Sequence, residues 1–298
     1  MIKVKVPATS ANMGAGFDTL GVAVSLYSRL TVEETAGGLE IKTINPGGFI
    51  LQNENNLVYK AMCEVFHKVG YTPAGIRIVQ QSDIPMTRGL GSSSACIIGG
   101  MTAANALSGR QLSYGEILDL AVKMEGHPDN VSPALYGGFC TSITENGKTY
   151  VKSIKLKPSI KFAVMIPDYF VATKKSRGLL PEKVRLEDAA FNVSRASMLV
   201  AALSTGDMSM LRFAVEDRLH QPYRKAYVDG MDEIFEKTYA CGSCATYLSG
   251  SGPTIVSVLD GEHRKFKEEM NKFFADNSHE WSCGILSIDN VGTVVSEI

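Results

Sequence analysis

The sequence lacks the features that would send a chain to a membrane, to nucleic acid or out of the cell. No uncharged apolar run reaches the ~20 residues of a transmembrane helix, so no helical span is expected. An excess of one charge is missing as well: 30 Lys+Arg stand against 31 Asp+Glu, a net charge of −1. A chain so balanced has no general attraction for a phosphate backbone or an anionic lipid surface, although a local basic pocket remains allowed. The opening Met1-Ile2-Lys3-Val4-Lys5-Val6-Pro7 alternates like a strand and has no apolar signal-peptide core. Six scattered cysteines, Cys63, Cys96, Cys140, Cys241, Cys244 and Cys283, then read as reduced cytosolic thiols. Cys241-Gly-Ser-Cys244 is one CxxC without a second pair or a histidine at zinc spacing, so no redox or zinc role is expected of it. Histidine is scarce, at five, and His127 has no other histidine near it in sequence, which argues against a histidine-built metal centre.

What is present is ordinary globular material. The 298 residues are 45% hydrophobic and 20% charged, enough for sizeable cores in about two domains of ~150 residues. Strand patterns lie at residues 2–6, 22–33 and 39–44, the last two separated by a Gly37-Gly38 turn, and again at 76–80. Leu57, Val58, Ala61, Met62, Val65, Phe66 and Val69 repeat at helical spacing after an Asn55 or Asn56 N-cap. Ser113 and Glu116 form the capping-box pattern for a helix to Met124, and residues 129–136 suggest a short one. Strands are expected at 149–156 and 162–166, with a polar, proline-bearing break at Lys157–Ser159 that sets a boundary between units 1–158 and 159–298. The second half reads as helices at 186–203, 208–218 and 262–274 with strands at 245–248, 254–259, 285–289 and 293–296. The fold class is α+β in both halves.

Four segments carry chemistry. Pro85-Met-Thr-Arg-Gly-Leu-Gly-Ser-Ser-Ser94 precedes an apolar helix. Its glycines let backbone approach a ligand, its hydroxyls donate, and the helix start aims free N–H groups and a positive dipole end at one point, which suits a phosphate. Gly99 and Gly100 inside that helix imply close packing behind the loop. Familiar phosphate loops fail on spacing: Ser142 stands where a Walker loop ending at Gly147-Lys-Thr149 needs its first glycine, and Thr19 stands where Gly14-Ala-Gly16 would need a third. Pro7–Gly21, with Asn12 and Asp18, and Ser249-Gly-Ser-Gly-Pro-Thr254 are small-residue loops of the same kind. Glu125-Gly-His-Pro-Asp-Asn130 packs two carboxylates, an imidazole and an amide into six residues, and hard oxygens suit Mg²⁺.

Taken in order, residues 4–21, 85–108, 125–138 and 247–259 closely resemble the GHMP small-molecule kinases. The Pro7–Gly21 and Glu125–Gly138 stretches are similar to those members that phosphorylate the side-chain hydroxyl of L-homoserine, the step before threonine formation. The resemblance implies a two-domain fold, an N-terminal α+β nucleotide domain with an unusual crossover plus a C-terminal ferredoxin-like domain, with the site between them. It implies ATP and Mg²⁺: Asn56 at the adenine; Pro85, Arg88, Gly89, Leu90, Gly91, Ser92, Ser93 and Ser94 around the phosphates; Ser93 and Glu125 at the metal. Asn12, Asp18, His127, Thr173, Arg177, Arg224, Gly250 and Gly252 would hold the amino acid. Asn130, with Asp129 and His127, would stand at the reacting hydroxyl, where relatives place an aspartate. The residues fit a zwitterion, since Asp18 can meet an ammonium and two arginines can grip a carboxylate. Two other readings stay open: a GHMP kinase for a sugar or mevalonate-type alcohol, and a noncatalytic ligand sensor on this fold. The expected setting is cytoplasmic, with no nucleic acid or membrane partner, and the size is compatible with a homodimer.

Overall fold

Ile2, Val4 and Val6 alternate with exposed Lys3 and Lys5, and this pattern builds strand β1 (Ile2–Ala11). In this computed structural model, which describes residues 1–44, 50–171, 176–261, 263–277 and 280–297, β1 runs well past residue 6. Pro7 is accommodated because the register shifts beside it: Pro7 faces Tyr27 while Ala8 faces Val24, a bulge that spares the missing N–H. Strands β2 (Leu20–Glu34) and β3 (Gly38–Ile44) follow. Helix α1 (Leu57–Val69) starts where Asn56 accepts from the Val58 and Tyr59 amides, and it buries Val58, Ala61, Met62, Val65 and Phe66. Strand β4 (Gly75–Ser82) pairs with β3 in parallel, so α1 lies on the crossover between them.

Helices α2 (Ser92–Leu107), α3 (Tyr114–Glu125) and α4 (Pro128–Tyr136) come next, and both bonds of the Ser113/Glu116 capping box are made. A hairpin of β5 (Phe139–Glu145) and β6 (Lys148–Ile154) follows. Strand β5 has no counterpart in the sequence reading. Its first residues are buried and its last three exposed, so no alternation runs along it. The second half holds β7 (Ile160–Pro167), α5 (Leu186–Thr205), α6 (Met231–Ala240), β8 (Ala245–Leu248), β9 (Ile255–Asp260), α7 (Arg264–Asp276), β10 (Trp281–Ser287) and β11 (Val294–Glu297).

Two expectations need correcting here. Residues 208–218 are not one helix; only Leu211–Ala214 is helical. The chain breaks because Asp217 turns its carboxylate onto the amides of Leu219, His220 and Gln221, capping a separate turn at Gln221–Arg224. Helix α6 was also not foreseen, although Met231, Ile234 and Thr238 mark its buried face.

The strands form two sheets. The larger runs β11-β1-β2-β4-β3, with β5 on β2 and β6 on β5. The smaller runs β10-β7-β9-β8, all antiparallel. Numbered within their own half, those strands lie in the order four-one-three-two with helices between first and second and between third and fourth, which is the ferredoxin-like pattern. The 159–298 segment contains this sheet and also returns its last strand to the first one, placing Glu297 opposite Ile2.

Helix α2 is pressed into this frame. A Cβ on Gly99 would come within 2.5 Å of the Leu30 side chain, and one on Gly100 within 2.4 Å of the Val58 carbonyl. The close packing expected behind the loop is therefore real, and it fixes where the helix N-terminus points. Gly100→Ala tests it by sign. Helix propensity alone would stabilise by ~1 kcal/mol. The clash is with backbone, which cannot swing aside, and overpacking costs ~1–3 kcal/mol. A net fall in Tm of about 2–6 °C is expected in a thermal melt; a rise would show that α1 and α2 are free to part.

Candidate active site

The sequence dictates a meeting of three backbones. Strand β1 ends in Thr9-Ser-Ala11 just before Asn12, the Gly89–Gly91 loop leads into the first turn of α2 beside it, and the Ser249–Thr254 turn closes from the second half. The amide of Thr9 donates to the Leu90 carbonyl at 3.2 Å, that of Gly250 to Ala11 at 3.1 Å, and that of Thr254 to Arg88 at 3.3 Å. The Ser249 hydroxyl donates to the Gly89 carbonyl at 2.5 Å. Such contacts need small residues. A Cβ on Gly91 would sit 1.9 Å from Thr9 Oγ1, and one on Gly89 2.4 Å from the Ser249 carbonyl, both at positive φ.

Above this junction lies a cavity of about 360 Å³. At one end are Arg88, Gly89, Gly91, Ser92 and Ser93, with the first amides of α2. Glu125, the last residue of α3, stands beside them: Ser93 donates to its Oε2 at 2.9 Å and Ser94 to its Oε1 at 3.0 Å. Asp119, one turn and more earlier, accepts from the Thr149 amide at 2.7 Å and is structural. Cys96 also lines the wall, and burial, helped by the Glu125 charge, pushes its thiol up to about 11, so it is no nucleophile.

The middle of the cavity belongs to the start of α4. Asn130 accepts from the buried Thr9 hydroxyl at 2.8 Å, which fixes its amide against the loop. His127 Nδ1 is hydrogen-bonded to Asp129, itself only 2% exposed. Burial alone would lower the imidazole's pKa; the Asp129 bond and charge, with the Asp18 and Glu125 charges, outweigh it and raise the value. The far end carries charge of both signs. Arg177 donates from its Nη2 alone to both Asp18 oxygens, at 2.6 and 2.8 Å. Asn12 orders this corner, accepting from the Asp18 amide at 3.0 Å and donating to the Gly250 carbonyl at 3.0 Å. Arg224 is 3% exposed and donates to the same carbonyl at 2.8 Å. Its guanidinium pKa drops to about 10, through burial first and Arg177 second, which still leaves it cationic at neutral pH.

Not every expected residue faces the cavity. Leu90 and Ser94 are buried behind the loop, and neither Pro85 nor Gly252 is among the lining residues. Thr173 lies outside the described residues. Arg88 is a strap more than a ligand, donating to the Pro167 and Asp168 carbonyls at 3.0 and 3.2 Å. Asn56 lines the cavity, but its amide is fully engaged, accepting from two α1 amides and donating to Leu51 and Gln80. Among the residues missed are Ile50, Leu51, Leu57, Thr43 and Gln80 near Asn56, a mixed apolar and polar wall. They come from different elements and leave no linear motif; only the position of Asn56 pointed there.

Known proteins match this chain in sequence and fold. Residues 56–138 fit the GHMP kinases N terminal domain and residues 199–276 the GHMP kinases C terminal domain. The chain is 44% identical over its whole length to a homoserine kinase of Clostridium beijerinckii, covering 99% of that protein. It is a GHMP kinase. A homoserine kinase of Caldicellulosiruptor saccharolyticus is also 44% identical, with 100% of this chain and 97% of that one covered. Among solved structures, the homoserine kinase of Cytophaga hutchinsonii superposes with a TM-score of 0.88 at 28% identity, over 99% of this chain and 97% of that one. The expected two-domain α+β fold is thus the one found. Membership in a kinase family implies use of ATP, and the α2 N-terminus of this GHMP kinase, with its two crowded glycines and paired serines, suits a polyphosphate. Among the described residues no helix is long and apolar enough to cross a membrane.

Two outcomes follow for this GHMP kinase. In Gly91→Ala the new methyl must displace the Thr9 hydroxyl, and with it Asn130. Calorimetric affinity for ATP should fall at least ~10-fold, a change of about 1.4 kcal/mol, and unchanged affinity would remove the loop from the nucleotide site. His127 owes its raised pKa to Asp129, so its contribution to stability is full below the unfolded value of 6.5 and is lost as pH rises through the higher folded value. In Asp129→Asn burial acts with little opposition, and the imidazole midpoint, followed by NMR, should drop below that of the wild type. An unmoved midpoint would mean that another group holds the proton.

Proposed function

We propose that this enzyme transfers the γ-phosphoryl group of ATP to the side-chain hydroxyl of L-homoserine, giving O-phospho-L-homoserine, in the cytoplasm, as the step before threonine formation. The observation that carries this reading is the charge layout of the cavity. At its far end Asp18 lies against Arg177, and Arg224 lines the same space, which opens onto the phosphate loop. A zwitterion presents Asp18 with an ammonium and the arginines with a carboxylate, so each group keeps a partner of opposite sign. A neutral sugar offers neither exchange. The full-length relatives bearing the homoserine kinase name support the same substrate.

The chain's own groups account for the chemistry. Asn12 and Asp18 orient the ammonium, and Arg177 and Arg224 the carboxylate, which leaves the hydroxyl directed toward Asn130 and the α2 N-terminus. Asn130 has no proton affinity near neutral pH, and its Oδ1 already accepts from Thr9, so it positions the alcohol. Asp129 is tied to His127, and its bond and charge favour the protonated form of the imidazole that lines the middle of the cavity. No strong base is needed, because phosphoryl transfer passes through a loose transition state in which alignment and charge neutralisation dominate. The hydroxyl proton then leaves to a phosphate oxygen or to water. Ser93 and Glu125 offer adjacent hard oxygens that would hold Mg²⁺. Bound there, Mg²⁺ would supply neutralisation of phosphate charge. The two units are proposed to divide at residues 158/159, between β6 and β7, with β11 crossing back.

An ADP-release assay across homoserine, mevalonate and galactose tests the proposal: only homoserine should support turnover. Arg224→Ala should raise KM for homoserine about 10- to 100-fold, the worth of a charge-assisted hydrogen bond, and leave KM for ATP nearly unchanged. Arg224→Lys keeps the charge but not the planar fork and should still impair. The preference for homoserine over an amino alcohol without a carboxylate should shrink in both variants. An unchanged preference would show that Arg224 does not read the carboxylate.

A further inference from the structure

His220 takes no part in the chemistry above, yet it is completely buried and touches both halves of the substrate corner. Its Nε2 is 2.8 Å from the Gly14 carbonyl, in the loop between Asn12 and Asp18. Its Nδ1 is 3.2 Å from Arg224 Nη1. The partners dictate the proton. A carbonyl can only accept, so Nε2 carries the hydrogen; a guanidinium can only donate, so Nδ1 carries none. The ring is thus held as one neutral tautomer with both nitrogens satisfied. Its face stacks on Phe17 at 5.5 Å between centroids, and the same Phe17 ring lies 5.5 Å from the Arg224 guanidinium and 5.6 Å from that of Arg177. The segment carrying the ring is itself fixed. Asp217 caps the His220 and Gln221 amides, and Asn192 of α5 donates to Asp217 at 2.7 Å and to the Ala15 carbonyl at 3.3 Å.

We propose that His220 is a positioning residue for the substrate, a rigid link that ties the guanidinium reading the carboxylate to the loop reading the ammonium. The spacing between the two charge-reading sites then does not depend on side-chain rotamers at the surface. It is set by one ring wedged between Gly14 and Arg224, and that spacing selects an α-amino acid over a molecule whose charges are further apart. The inference rests on the homoserine reading.

The charged groups facing the ring are Asp217, 3.6 Å from Nε2, and Arg224 on its own segment, with Asp18 on the loop after β1; α5 offers only uncharged Asn192, and Arg177 acts through Asp18 and Phe17. Burial, the largest influence, holds the imidazole's pKa below 6.5 against the pull of Asp217. The unfolded chain binds the proton more readily, so stability from this site is full above 6.5 and falls as pH drops from there toward the folded value. In the folded enzyme, charging the ring puts a proton where Arg224 donates and loosens the link.

Two variants and one spectrum test this. His220→Gln presents one donor and one acceptor and cannot titrate; His220→Phe keeps the stacking and loses both bonds. At pH 8, His220→Phe should raise KM for homoserine about 10-fold or more with KM for ATP within about 2-fold, and should discriminate less against β-amino acid analogues of homoserine. His220→Gln should recover most of that loss. As pH falls through the folded value of the ring, which lies below 6.5, the wild type should lose homoserine affinity while His220→Gln holds its own, with His127 common to both. In ¹⁵N NMR the wild-type ring should be the neutral Nε2–H tautomer at pH 7. A fall in Tm with KM values and acid limb unchanged, or an Nδ1–H or cationic ring, would overturn the proposal. Wild-type turnover of homoserine is measured first, so failure of the substrate reading shows there, while the spectrum decides the link regardless.

Discussion

Three chain segments remote in sequence come together with almost no side chain between them, and this is the constraint on which the rest of the molecule depends. The end of β1, the Gly89–Ser94 loop and the Ser249–Thr254 turn share backbone hydrogen bonds, which brings the α2 amides, Asn130 and Gly250 into one cavity. Side chains larger than hydrogen at Gly89 or Gly91 would push these layers apart by more than the length of a hydrogen bond's tolerance. The same demand reaches backwards along α2, where Gly99 and Gly100 let the helix press on Leu30 and α1. Catalytic geometry and core packing are therefore one requirement, met by the smallest residues.

The second organising element is charge exchange. Asp18 and Arg177 form a part-exposed pair whose net worth to stability is small, because solvent screens it. That weakness serves the site, since a weak pair is easily exchanged for one with a zwitterion. Arg224 differs: it is buried, held by a carbonyl and a neutral imidazole, and stays charged. One arginine can adapt while the other is fixed, a division that sequence alone leaves invisible because both look like solvated cations.

Local signals were legible in the sequence and long-range ones were not. The Asn56 cap, the Ser113/Glu116 box and the apolar stripe of α1 depend on neighbours a few residues away, and all are in the structure. The four-segment order gave the fold family. Helix 208–218 failed because Asp217 competes for backbone amides, a choice made only when the Gln221 turn packs against Leu248. Strand β5 was hidden because a half-covered hairpin carries no regular alternation. Thr9 and His220 were missed for a different reason: each acts by holding another residue, Asn130 or Arg224, and nothing in the chain near them marks that partner.

Strand β11 has a consequence for how the chain reaches its native state. It follows every other described strand in the chain, yet it lies on β1, which precedes them all. Throughout synthesis β1 can pair only with β2, and its other edge waits for a contact of nearly maximal sequence separation, the kind that forms slowly. An open strand edge invites other chains, and alternate lysines are a common safeguard. Lys3 and Lys5 pair in register with Ser296 and Val294 and stay exposed, so the charges that keep the nascent edge apart from its neighbours on a polysome remain on the solvent face after the final strand has taken up the backbone groups.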